Sequence, residues 1–117
     1  MTPENPLSRL VGESLSAVSF VRDYVEFHFD GPVLRALTNP VARSGKLQWR
    51  FPEPGSRDGL CQLIGSIVEA IRLEENTGIE ILFLTGESLT IPFGVSAEAG
   101  GESVHFISAP GQPMSVW

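Results

Sequence analysis

The sequence predicts a mainly β protein (α+β in detail, with short helices), built as two tandem antiparallel β-meander repeats packed as a sandwich or partly open barrel. Three observations carry this. Apolar and polar residues alternate over short runs such as Val25-Glu26-Phe27-His28-Phe29, the period of a half-buried strand. Twelve glycines and nine prolines punctuate the chain, which suits many turns rather than long helices. The two halves also resemble one another, so the same elements are expected twice. At 117 residues and 12.7 kDa the chain is a single domain, 1–117, and can hide roughly two-thirds of its unfolded surface.

The repeat spans about residues 5–51 and 58–108. Leu10-Val11-Gly12 matches Leu63-Ile64-Gly65, and Leu15, Ala17, Val18 and Phe20 fall on Val68, Ala70, Ile71 and Leu73. With one single-residue shift Val25-Glu26-Phe27-His28-Phe29 falls on Ile79-Glu80-Ile81-Leu82-Phe83, and one further shift precedes each of the next two matches. Gly31, Leu34 and Ala36 then fall on Gly86, Leu89 and Ile91, and Gly45-Lys46 on Gly101-Glu102.

Each copy opens with a short helical turn, Leu7 to Val11 and Asp58 to Ile64, with Asp58 a suitable N-cap. A strand follows, Ser14–Arg22 and Ser66–Glu75. After a tight turn, which in the second copy is Asn76-Thr77-Gly78, come Tyr24–Phe29 and Ile79–Leu84. Asp30-Gly31-Pro32 and Thr85-Gly86-Glu87 turn the chain into Val33–Thr38 and Ser88–Phe93. A loop leads to the fourth strands, Lys46–Phe51 and Ser103–Ser108. Pro52-Glu53-Pro54-Gly55-Ser56 is an irregular connector, too short for a domain linker. One alternative stays open. Leu60, Leu63, Ile64, Ile67 and Ile71 also fit a helical stripe over 58–75, with Gly65 inside it at a cost of about 1 kcal/mol.

Charge and composition exclude several roles. The net charge is −6 and the pI about 4.8, which disfavours nucleic acid and anionic membranes, both of which need clustered cations. Residues 1–57 hold seven basic and six acidic groups, whereas residues 58–117 hold only Arg72 against eight acids. The second half is thus an acidic surface, suited to solubility or to steering a basic protein. The longest apolar run, Ile81-Leu82-Phe83-Leu84, is far too short for a membrane helix. Met1-Thr2-Pro3-Glu4-Asn5-Pro6 has neither a basic start nor an apolar stretch, so no secretory leader is expected and the cytoplasm is the default compartment. Seven of eight basic residues are arginine, a usage that points to a GC-rich bacterial genome.

Cys61 is the single cysteine, so an intrachain disulfide is ruled out, and beside Leu60 it reads as a small core residue. Two histidines offer no zinc spacing, and no cofactor or metal is expected. Ala99-Gly100-Gly101 and Ala109-Pro110-Gly111-Gln112-Pro113 are loops without a phosphate-loop signature. In Leu47-Gln48-Trp49-Arg50-Phe51, alternation places Leu47, Trp49 and Phe51 inward and Arg50 and Gln48 outward.

Two surfaces stand out as binding candidates. In the first copy Tyr24, Glu26, His28 and Asp30 share the polar face of one strand, with Arg35 expected on its neighbour. A carboxylate beside an imidazole can orient it for base chemistry, so Glu26, His28, Arg35 and Arg50 are the residues of a small-molecule or hydrolase site. In the second copy the matching face is Glu80, Leu82, Leu84. A strand apolar on both sides is covered on both, by helices, by the tail ending in Val116-Trp117, or by a second subunit. Leu82 and Leu84 are therefore the residues of a protein-binding or homodimer surface.

The Leu-Ile/Val-Gly openings of each copy, the Val-Glu-Phe-His-Phe-Asp-Gly and Ile-Leu-Phe-Leu-Thr-Gly strand–turn pairs, and Glu102-Ser103-Val104-His105-Phe106 followed by Pro110-Gly111 and Trp117 resemble a family of small bacterial proteins of unknown function. The likeness runs from about Leu7 to Trp117, and Gln112 departs from that family's pattern of a second glycine. The resemblance implies a compact β-rich protein and lends no catalytic residue. A non-enzymatic protein-binding or self-associating module is the first expectation, and a small-molecule binder or hydrolase around His28 the second.

Overall fold

The structure is a computed structural model that describes residues 6–22, 24–94 and 102–117. A short 3-10 turn, Pro6–Leu10, precedes β1 (Ala17–Val21), β2 (Tyr24–His28), β3 (Val33–Ala36), β4 (Val41–Ser44) and β5 (Leu47–Arg50). The second half repeats that order with α1 (Ser56–Cys61), β6 (Val68–Glu74), β7 (Gly78–Phe83), β8 (Ser88–Pro92), β9 (Val104–Ile107) and β10 (Met114–Val116). The strands make two antiparallel five-stranded sheets, β1-β2-β3-β9-β10 and β5-β4-β8-β7-β6. They face each other as a mainly β sandwich and do not close into a barrel.

Each half supplies a three-stranded meander to one sheet and sends its last two strands to the other. Thus β3 pairs with β9, and β8 with β4. Exchanging the halves maps one sheet order onto the other. The halves also meet directly, at an isolated bridge between Ser14 and Ile67. Around it Gly12 N–H donates to the Val68 carbonyl at 2.9 Å, and Gly65 N–H to that of Leu15 at 2.7 Å. Leu15 N–H donates to Ser66 O at 3.0 Å, and Val68 N–H to Glu13 O at 2.9 Å. Gly12 aligns with Gly65 and Leu15 with Val68, so each bond has a mate under a local two-fold.

The core lies between the sheets. Val25, Phe27 and Phe29 from the first half meet Ile79, Ile81 and Phe83 from the second, with Leu34, Leu89 and Phe106, all essentially inaccessible to solvent. Phe20 stacks on Phe51 with ring centroids 5.7 Å apart, and the Arg57 guanidinium covers both rings at 5.8 and 5.1 Å. Trp117 packs against the same core, its N–H bonded to the Val104 carbonyl as that of Phe51 is to Pro40. No helix among the described residues is long and apolar enough to cross a membrane.

Several local expectations need correction. Val41–Ser44, read as loop, is a strand, because β8 offers it an edge that only the exchange creates. Its counterpart is Val104–Ile107, so the match of Gly45-Lys46 to Gly101-Glu102 is out of step. The helix over 58–75 does not form; α1 ends at Cys61, Gly65 adopts φ 94°, and β6 follows. Asp58 lies inside the first turn of α1, whose N-cap is Gly55. Cys61 is exposed, since α1 turns Leu60 and Gly59 inward. Leu47 is 61 % exposed at the turn while Trp49 is part-buried. The tail does not cover the second copy's strand, because β10 joins the other sheet. Glu98 and the Ala99-Gly100-Gly101 loop lie outside the described residues.

Two tests follow from this packing. Neither half can complete a sheet, so separate chains of residues 1–54 and 55–117 are expected to lack fixed structure alone and to regain strand circular dichroism only when mixed. Gly59 is buried under the Trp49 ring, and a Cβ there would overlap the indole. Gly59→Ala is expected to destabilise by about 1–3 kcal/mol in urea denaturation.

Candidate functional site

The outer face of the first sheet carries a polar row across β1, β2, β3 and β9 that ends on Val116 in β10. Register aligns Ser19 with Glu26, Glu26 with Arg35, Arg35 with His105 and His105 with Val116. These residues alternate with the core-facing Phe20, Val25, Phe27, Leu34 and Phe106 by the two-residue period of a strand. Glu26 and Arg35 are therefore neighbours because β2 and β3 form a hairpin, as the alternation predicts. His105 reaches them only because β9 comes from the other half.

From Glu26 to His105 the row is bonded side chain to side chain. Arg35 Nε and Nη2 each donate to Glu26 Oε2 at 2.9 Å. Its Nη1 donates to His105 Nδ1 at 3.2 Å, and its guanidinium lies 4.9 Å from the Tyr24 ring centre. A guanidinium can only donate, so His105 Nδ1 is the acceptor and Nε2–H donates to Glu102 Oε1 at 2.8 Å. His28 Nε2 lies 3.3 Å from Ser19 Oγ and 3.5 Å from Glu26 Oε1. A Ser–His–acid relay uses one ring nitrogen for the hydroxyl and the other for the acid. Here both neighbours share Nε2, so this trio is arranged as a bonded surface cluster rather than a relay. Asp30 stands apart, in a turn at φ 55° with its N–H directed to Ser16 Oγ at 3.4 Å.

Arg50 does not join this row. It lies on β5 in the second sheet, opposite Val41, and lines a trough of about 450 Å³ with Arg43 and Thr90. A smaller trough of about 210 Å³ continues past Thr90 to Glu80 and Arg72, which are 3.8 Å apart.

Leu82 and Leu84 lie on the outer face of that second sheet, toward the opposite edge from Arg50. Leu82 is half-buried opposite Ala70. Leu84 sits just past the end of β7 and is 60 % exposed, so of the three covers open to it neither the helices nor the tail among the described residues buries it. Its N–H donates to Ile67 O at 2.9 Å, and Ile67 is itself 41 % exposed. Val68 and Phe83, their buried neighbours, face the core, so alternation sends Ile67 and Leu84 outward together. Ile67 is not legible as a surface residue in the sequence, because its helical spacing with Leu63 and Ile71 reads as core. Among the described residues no group of three or more His, Cys, Asp or Glu side chains is placed to hold a metal ion. No family model, curated protein or solved structure matches this chain.

The Glu26–Arg35 pair is shielded, its side chains only 17 % and 25 % exposed, and two donors share one carboxylate oxygen. A double-mutant cycle of Glu26→Gln and Arg35→Met is expected to give a coupling of about 1 kcal/mol at low salt, diminishing as salt is added.

Proposed function

We propose that this chain is a non-enzymatic binding module of the bacterial cytoplasm that engages protein through the apolar end of its second sheet, and that its first partner is a second copy of itself. The observation behind this is the pair Ile67 and Leu84, side by side and exposed on an outer sheet face, with Leu82 beside them. Exposed large apolar groups that adjoin one another are a mark of an interaction surface. An apolar patch is self-complementary, so a two-fold axis through it buries like against like. The polar row of the first sheet supports the reading by contrast, since its charged groups are already paired with one another.

Light scattering across a dilution and salt series tests this. The expected mass for the parent is near twice 12.7 kDa, insensitive to salt because the contact is apolar. Leu84→Asp is expected to weaken the association by tenfold or more, about 1.4 kcal/mol. A parent that stays monomeric up to about 100 μM, a concentration at which an association of even about 5 kcal/mol would register, overturns the self-association.

A further inference from the structure

The arginine trough on the second sheet has a chemistry of its own. Arg43 and Arg50 lie on the outer face of the β4–β5 hairpin as diagonal neighbours, since Val41 pairs with Arg50 and Arg43 with Gln48. Side chains at such positions start about 7–8 Å apart, a span two long guanidinium groups can close on one anion. Among the described residues neither has a carboxylate within ion-pair distance, unlike Arg35 and Arg72. Thr90 sits across from Val41 on β8, and Asn39 contributes a side-chain amide at the rim. Val41 and Phe93 supply apolar wall. The volume, about 450 Å³, is within the range that takes a small organic ligand. In a chain of net charge −6, two cations without a carboxylate partner among the described residues, in one concavity, are the feature that needs an explanation.

We propose that Arg43 and Arg50, with Thr90 and Asn39, form a binding site for an organic carboxylate whose apolar body rests on Val41 and Phe93. The guanidinium fork matches the planar carboxylate in geometry and charge. A singly charged head group costs less to desolvate beside Val41 and Phe93 than a phosphate dianion does. Glu80 stands directly opposite Thr90 on β7 and tempers the attraction to either head group. This site lies toward the β5 edge, away from Leu84, and does not depend on the association proposed above.

The test is an amide NMR titration of the full chain with three probes of similar shape: benzoate, benzamide and phenyl phosphate. Benzoate is expected to shift the amides of Asn39, Val41, Arg43, Thr90 and Phe93, with affinity falling as salt rises. Benzamide is expected to bind at least about tenfold more weakly, and Arg43→Gln and Arg50→Gln each to weaken benzoate by a similar factor. Both arginines are exposed, and the dispersed spectrum of each variant reports its fold in the same experiment. Equal shifts with benzoate and benzamide would mean an apolar wall without an anion site. Tighter binding of phenyl phosphate than of benzoate overturns the carboxylate assignment, and no shift with any probe overturns the site.

Discussion

Backbone pairing between the halves is the constraint on which the rest of the molecule depends. Strand β9 finds its partner in β3, so Arg35 and His105 touch across seventy residues of chain. Strand β4 likewise completes its ladder on β8. A three-stranded meander alone leaves its one apolar face to water, and here each receives two further strands and a facing sheet from the other half. The four backbone bonds around Ser14 and Ile67 fix the relative placement of the halves before any side chain is considered. Register then follows, because a slip of one residue at β3–β9 would turn Phe106 outward and His105 into the core.

That constraint also decides what could be read in the sequence. Local alternation suffices for β2, β3, β7 and β8, since a hairpin needs only its own turn and its own period. It suffices, too, to set Glu26 beside Arg35. It cannot find β4, whose four residues Val41-Ala42-Arg43-Ser44 are buried, buried, exposed and intermediate only because β8 lies beside them. Nor can it place His105. Taken alone that residue is one polar position in a short apolar strand, and its role as acceptor for Arg35 exists only through the exchange. The misplacement of Arg50 has the same origin. Alternation correctly turns it outward, but outward from which sheet is a question of topology, and β5 goes to the sheet of the second half. Cys61 and Leu47 depart from expectation for a smaller reason, the end of an element, where burial no longer follows the period.

The two outer faces are variations on one geometry. The first sheet's row, Ser19, Glu26, Arg35, His105 and Val116, corresponds strand for strand to Arg72, Glu80, Thr90, Val41 and Arg50 in the second. The glutamate is common to both. In the first sheet an arginine stands beside it at the centre of the row, where it satisfies Glu26, His105 and the Tyr24 ring together. In the second the centre is Thr90, the glutamate turns to an edge arginine 3.8 Å away, and the cations have moved to β4 and β5.

This difference has an energetic consequence. A central arginine held by a shielded carboxylate and an imidazole has three of its five N–H donors engaged, and displacing its partners would require desolvating and re-pairing three groups. The flanking arginines of the second sheet, Arg43 and Arg50, have no such commitment among the described residues. The same face carries Ile67 and Leu84 at its other end, where burial rather than charge supplies the driving force. One sheet thus neutralises itself along its row, and the other presents separated charge and apolar surface. Of two faces built on the same strand order, it is the second whose arginines on β4 and β5 and whose large apolar groups stand uncommitted among the described residues.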